Sequence, residues 1–394
     1  MKKYQKEVNG AFQFAEEIIQ KTGPRLAGTN ESRVAATLIK DKLSSFSNQA
    51  TIEKFSVYQG AFLGWIRILV SCYALGVIFL WVGYPLISAL LTVLSLSILV
   101  FQFFFYKPMI DRLYPKKEGQ NVVATIEPTE EVKRQIIVSG HHDSARVFNF
   151  LIHQPSLYNL RVTGGISLIV LMLVLSLFEV FVHVSVLTIT INIILSLGFL
   201  LTGQMWFFAS KKGTPGAGDN LIASTAAVEI GSYFSQNRLK NTRVVVVSFD
   251  AEEEGLRGAR AYASAHEDEF KKIPTTLLNS DCPYYLKDLF FLTSDINTSV
   301  ELSTELAEEL VTVAKDNQIQ AIHKPIAFLT GGTDAGELAK KGVKATTLMA
   351  MPWSNSARAN VYHTPKDTLD AVEKEAVEAL ITIYIEYIKK KDIA

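Results

Sequence analysis

The chain has 394 residues, 48% of them hydrophobic, with 39 basic against 39 acidic side chains. Its positive mean hydropathy is unusual for a soluble enzyme of this length, and zero net charge leaves neither a basic field for a nucleic acid nor an acidic tail. Two cysteines, Cys72 in an apolar run and Cys282 far from it, offer no disulfide framework and suit a reducing compartment.

Taken in chain order, the first segment has lysines but no apolar core of signal-peptide length, so the start of the chain is expected in the cytosol. Residues 9–43 show helical periodicity broken at Gly23-Pro24, and residues 51–58 alternate as a strand. From Arg67 to Lys107 no side chain carries a formal charge, which is room for two crossings of about 20 residues each, with the turn at Gly83-Tyr84-Pro85. A second apolar block, residues 162–210, is interrupted only by Glu179 and His183. It reads as another hairpin with that pair in the distal turn; an intramembrane functional pair is the other reading.

Two hairpins return the chain to one side each time. The expected organisation is therefore polar 1–60, hairpin 61–106, polar 107–160, hairpin 161–210 and polar 211–394, the three polar parts forming one domain. Lys107, Arg112, Lys116, Lys117, Arg161, Lys211 and Lys212 crowd the span ends on that side and the opposite turns have no Lys or Arg, which places the domain in the cytosol of a multi-pass membrane protein.

Within the polar parts, residues 121–126, 135–139, 243–249, 275–279 and 345–349 resemble buried strands, and residues 219–233 a helix. The fold class is α/β: a mixed, mostly parallel sheet flanked by helices, with about four transmembrane helices inserted as two hairpins. Acids and histidines gather where these strands end, the expected site of an open α/β sheet.

His141-x-Asp143 after a strand would aim His141 at a metal, with Asp143 on the same face to orient the imidazole, or it is a strand-end cap. Asp219 in the Gly216–Asn220 turn is a ligand candidate or a helix cap. Glu252-Glu253-Glu254 is a solvated acidic run or a site segment, and its place directly after an apolar strand favours the second. A nitrogen and oxygen donor set without thiolate suits Zn2+, with cobalt or manganese as substitutes.

Taken together, Gly23-Pro-Arg-Leu-Ala-Gly-Thr29, Gly140-His-His-Asp-Ser144, Gly218-Asp-Asn220, Glu252-Glu-Glu-Gly-Leu-Arg-Gly258, Asn279-Ser-Asp281 and Tyr362-His-Thr-Pro-Lys-Asp-Thr368 resemble the M28 family of zinc aminopeptidases, in the family's order. The resemblance covers nearly all of the polar sequence. It implies two zinc ions: His141 and Asp281 each binding one of them, Glu253 and His363 the other, and Asp219 bridging. Glu252 is implied as the base that takes a proton from water and returns it to the leaving amine, and Glu254 as a bystander. Ala259 stands where the family often has serine, and Gly332-Thr-Asp-Ala335 lacks the histidine that often follows its acid; Asp334 is expected to shape the substrate pocket. Residues 351–361, with Trp353 and Asn360, are a substrate-lining or a structural loop. His142 and His323 are expected as surface histidines.

The expected function is a membrane-bound metallo-aminopeptidase that removes N-terminal residues. Its partners are a peptide substrate, membrane-associated or hydrophobic, and the lipid bilayer, with no nucleic acid. The alternatives are aminoacyl cyclisation, as in the glutaminyl-cyclase relatives, which use one zinc at the positions of Asp219, Glu253 and His363, or an inactive receptor or accessory protein with a peptidase fold. Hairpins that only anchor the enzyme are the alternative to hairpins that take part in substrate recognition.

Overall fold

The structure is a computed structural model and describes residues 3–182, 184–352 and 360–393. Its centre is an eight-stranded sheet: β1 Ala50–Tyr58, β2 Lys116–Ile126, β3 Arg134–His141, β4 Thr242–Phe249, β5 Thr275–Pro283, β6 Leu289–Leu292, β7 Ile322–Lys324 and β8 Lys344–Ala350. The strands lie in the order β1-β2-β4-β3-β5-β8-β6-β7. The four in the middle, β4, β3, β5 and β8, are mutually parallel. Such strands are covered on both faces and so read as continuous apolar runs rather than alternating ones. Val244, Val246 and Val247 in β4 are almost wholly buried, and each buried valine stabilises the fold by about 1.5–3 kcal/mol.

The flanking helices are α1 Gln5–Thr22, α2 Asn30–Ser44, α7 Ile222–Gln236, α8 Arg257–Ala265, α9 Thr304–Asp316, α10 Asp334–Ala339 and α11 Lys374–Ile393. Thr29 starts α2 by accepting the Ser32 N–H, and Ser303 starts α9 by accepting the Leu306 N–H, so both helices begin at an ordinary side-chain cap. The short strands β6 and β7 and the helices α8 to α11 have no counterpart in the sequence reading.

Four helices are long and apolar enough to cross a membrane. They are α3 Ala61–Trp81, α4 Pro85–Ile98, which continues through a wider turn to Phe104, α5 Tyr158–Phe181 and α6 Ser185–Thr202. The first turn falls at Gly83-Tyr84, as the sequence suggests; Gly83 takes the left-handed conformation and Pro85 opens α4. The second turn lies past Glu179, which sits in the last turn of α5 and is 4% exposed. His183 falls outside the described residues. The bundle has its own apolar core, including Leu69, Tyr73, Met172 and Leu195, and is stitched by Ser88 Oγ to Ser176 Oγ at 2.8 Å and Tyr73 OH to the Leu195 carbonyl at 2.8 Å. Bonds of this kind supply packing specificity where no hydrophobic force acts between helices.

Sheet register decides where the two helical hairpins leave the domain. β1 pairs antiparallel with β2, and β2 antiparallel with β4, so β1 runs the same way as β4, β3, β5 and β8. The α3–α4 hairpin follows β1 and the α5–α6 hairpin follows β3. Both therefore emerge at the carboxyl edge of the central strands.

Candidate metal centre and active site

That same edge carries the site. His141 ends β3, Glu252 and Glu253 follow β4, Asp281 lies near the end of β5, and His363 comes after β8. Asp219 sits in the turn before α7, so α7 itself begins at Ile222, three residues later than its sequence pattern implies. Gly140 lets β3 approach α7: a Cβ there would lie 2.7 Å from the Ser224 amide nitrogen. Left-handed backbone at three non-glycine residues, Ala251, Cys282 and His363, surrounds the site, each at a cost of about 1–3 kcal/mol that the surrounding packing must hold.

The Asp219 carboxylate stands between the two histidines. Its Oδ1 is 3.4 Å from His141 Nε2 and its Oδ2 is 3.1 Å from His363 Nε2, while Glu253 Oε1 is 3.4 Å from the same His363 nitrogen. Glu252 Oε2 is 3.8 Å from His141 Nε2. Donor atoms of His141, Glu252 and Asp281, and of His141, Asp219 and Glu253, fall within 4.8 Å of one another. By that measure Glu252 stands as close to the cluster as the implied ligands do. His363 is fixed from behind, its ring stacked on Tyr362 at 3.9 Å and edge-on to Phe148 at 4.2 Å between centroids.

These residues fit a divalent metal on three observations. Ligands about 2.0–2.1 Å from a tetrahedral zinc lie about 3.3 Å from each other, close to the separations between Asp219, Glu253 and the histidines. His141 Nε2 and Asp219 Oδ2 are buried and make no hydrogen bond, which leaves their lone pairs free. The charge balance also needs a cation, because Asp143, Asp219, Glu252, Glu253 and Asp281 face only two imidazoles. Without one, burial pushes Asp281 up to about 7 and raises Glu252 and Glu253 above the usual carboxylate range. Burial opposes charging His141 and His363, yet the surrounding acids hold His141 well above its ordinary value and His363 up at about 9. Burial likewise pushes Asp219 up, but its contacts with both histidines outweigh this and hold it low.

Asp143 is fully buried and does two things. Its Oδ1 lies 3.3 Å from His141 Nδ1, and its two oxygens accept the Glu252 N–H at 3.1 Å and the Glu253 N–H at 3.2 Å. One carboxylate thus aims the histidine and fixes the segment that carries both glutamates. Asn220 performs a similar service for Asp281, donating to the Ser280 carbonyl at 2.7 Å and accepting the Cys282 N–H at 3.2 Å.

Several residues reach the site without having been assigned a role from sequence. Asp367 accepts the Gly218 N–H at 2.7 Å and the Tyr284 hydroxyl at 2.8 Å, and so positions the Asp219 turn; burial pushes it up to about 7. Arg25, wholly buried, donates to the carbonyls of His142, Gly23, Pro215 and Gly216 at 2.7–3.0 Å and clamps three motif segments together. Burial lowers it to about 10. Both stand inside the resembling motifs; a short motif shows which residues matter, and their partners appear only in three dimensions.

Other expectations change. Glu254 is no bystander: it accepts the Gly60 N–H at 2.8–2.9 Å and lies 3.8 Å from Arg146, capping the start of α3. Burial pushes it up to about 7. His142 is not a surface histidine: it is fully buried with Nδ1 2.8 Å from Ser248 Oγ, and burial lowers it to about 3. Its alternation with His141 on β3 turns it into the sheet's packed face. His323 is exposed on the edge strand, as expected. Asp334 is buried, and neither carboxylate oxygen has a hydrogen-bond partner among the described residues. It does not line the cavity, where Gly331, Gly332 and Thr333 stand instead. Ala259 is buried in the core. Met351 lines the cavity, Asn360 is exposed, and Trp353 lies outside the described residues.

In sequence, residues 204–388 match the family model for Peptidase family M28. His141 and Asp143 lie before that stretch. No curated protein matches the chain. In fold it is similar to a leucine aminopeptidase precursor from Bacteroides thetaiotaomicron VPI-5482, at 11% identity and a TM-score of 0.57, covering 97% of this chain and 96% of that one. It is similar to a Zn-dependent exopeptidase from Parabacteroides distasonis ATCC 8503, at 13% identity and a TM-score of 0.57, covering 97% of each. The glutaminyl cyclase of an Acidobacteriales bacterium has 15% identity and a TM-score of 0.58, covering 98% of this chain and 95% of that one.

Proposed function

Through residues 204–388 this chain belongs to Peptidase family M28, and we propose that it is a membrane-bound, two-zinc aminopeptidase whose active site faces the cytosol. The observation that carries this reading is the Asp219 carboxylate, which offers one oxygen to His141 and the other to His363, the posture of a bridging ligand. His141 and Asp281 would hold one ion, Glu253 and His363 the other. Bound zinc would supply Lewis acidity toward water and the scissile carbonyl.

The chain's own groups do the rest. Glu252 sits at the cavity wall, where burial favours its protonated form; it takes the proton of the attacking water and hands it to the leaving amine. Asp143 holds the Glu252 and Glu253 amides and the His141 ring at fixed separations. Asp367 and Tyr284 fix the Asp219 turn, and the aromatic pair Tyr362 and Phe148 keeps the His363 ring from rotating. Preorganisation of this kind keeps the reacting groups aligned at no further entropic cost.

The test is Glu252→Gln. It is expected to retain wild-type zinc content, measured by elemental analysis, and to lose release of N-terminal residues from peptides by more than about a hundredfold. A variant that keeps its activity would overturn the role of Glu252; one that loses its zinc would make Glu252 a ligand instead. Fold likeness to glutaminyl cyclases supports a second reading, aminoacyl cyclisation. A peptide with N-terminal glutamine separates the two: hydrolysis frees glutamine, whereas cyclisation expels ammonia and leaves the chain length unchanged.

A further inference from the structure

The site opens into a cavity of about 500 Å³. Its far wall belongs to the apolar helices: Phe62, Trp65 and Ile66 of α3 and Tyr158, Val162 and Ile166 of α5. On α5 these stand at every fourth position, a single helix face two turns long, so that wall runs about 12 Å along the helix axis. Asn159 and Thr163, also on the wall, are exposed, and the cavity therefore opens sideways past α5.

The height of this opening follows from the charges. Arg67 on α3 lies over the Trp206 ring at 5.5 Å, and Arg161 on α5 over the Phe150 ring at 4.9 Å. Cations paired with aromatic rings at the ends of spans mark the layer where headgroups meet acyl chains. Ile66 and Val162 each adjoin one of these arginines in sequence, and Ile166 lies one turn further in. The opposite rim is apolar as well: Phe328 is 62% exposed, Leu329 is 40% exposed, and the Phe328 ring packs against Phe104 at 5.5 Å. A cavity serving only water-borne peptides needs no such floor.

We propose that this cavity is a lateral access route from the bilayer interface, and that the substrates are amphiphilic peptides whose free N-terminus reaches the metal centre while the residues behind it lie between α3 and α5. This rests on the aminopeptidase reading above. A span of about 12 Å is the reach of about four extended residues, so apolarity at the second to fifth residues of the substrate governs turnover. The leaving peptide returns to the membrane by the same path.

The test compares two peptides that share an N-terminal dipeptide, one with a leucine-rich tail presented in lipid vesicles and one with a serine- and glycine-rich tail in solution. Zinc-loaded full-length protein is expected to favour the leucine-tailed peptide in kcat/KM. In Val162→Trp and Ile166→Trp, which narrow the route, the ratio of the two values is expected to fall by at least about tenfold, since a blocked apolar contact of this size is worth about 1.4 kcal/mol or more. Val170→Trp, on the lipid-facing side of α5 where Val170 is 46% exposed, is expected to leave the ratio unchanged. If the tryptophan variants do not fold, Thr163→Cys folded first and then modified with a bulky maleimide gives the same measurement, with maleimide-treated wild type as its reference. Equal hydrolysis of both peptides by wild type, or a ratio that stays constant in every narrowed form, overturns the access route and leaves the aminopeptidase reading standing. Release of no N-terminal residue from either peptide overturns both.

Discussion

Asp143→Asn is the most discriminating single change, because it keeps the shape of the side chain and removes one acceptor and the charge. In the protein the two carboxylate oxygens accept the Glu252 and Glu253 amides at 3.1 and 3.2 Å, and Oδ1 faces His141 Nδ1 at 3.3 Å. An asparagine presents its NH2 to one of those two donors, so one backbone N–H is left buried and opposed. A hydrogen bond to a charged group contributes about 1.5–3 kcal/mol. Part of that loss reappears as strain in the 252–253 segment and part as a freed His141 ring. Loss of an orienting carboxylate of this kind typically weakens metal binding by about 10–100-fold, or about 1.4–2.7 kcal/mol. Zinc titration in a chelator-buffered series, with kcat/KM measured at saturating zinc, separates the two consequences. The expected result is weaker zinc affinity together with a lower kcat/KM that excess zinc restores only in part. Wild-type zinc affinity and wild-type kcat/KM in the same variant would refute the positioning role.

Three further outcomes follow from buried groups elsewhere. Arg25→Met leaves the carbonyls of His142, Gly23, Pro215 and Gly216 without their donor; a loss of at least about 3 kcal/mol is expected in chemical unfolding of the detergent-purified protein, and a loss below about 1 kcal/mol would show that water replaces the guanidinium. Asp111 and Arg257 form a buried pair at 2.8 and 3.1 Å that also ties the segment after α4 to α8 through the Tyr106 carbonyl. Asp111→Asn is expected to cost about 3–5 kcal/mol by stranding the guanidinium, and Asp111→Leu combined with Arg257→Met to recover much of it; additive losses would mean the pair does not act as a unit. The third concerns His266, whose hydrogen bond to Glu53 at 2.8 Å raises its pKa against the opposing effect of burial. Its charged form therefore stabilises the fold below about pH 6.5, the value of the unfolded chain, and that contribution disappears as pH rises through the higher folded value. The stability difference between wild type and His266→Gln should shrink between about pH 6 and about pH 9, and a difference that grows with pH would contradict the ion pair.

Chemistry was legible in the chain because it is local. A carboxylate or imidazole placed directly after an apolar strand already lies at a sheet edge, and uncharged runs as long as residues 68–106 fit few environments other than lipid. Residue type and spacing therefore pointed to His141, Asp219, Glu252, Glu253, Asp281 and His363 together, and to four apolar helices in two hairpins. Other features depend on distant parts of the chain. The reach of Arg25 to Gly216, the cap that Glu254 gives to α3 and the burial of His142 against Ser248 involve partners 106 to 194 positions away. The direction of β1, set by its antiparallel pairing with β2, sends the first hairpin out at the same edge as the site. A sequence shows that the chain enters the membrane region twice; only the sheet's register brings both insertions beside the metal centre, because strand direction is a property of pairing and not of any one strand.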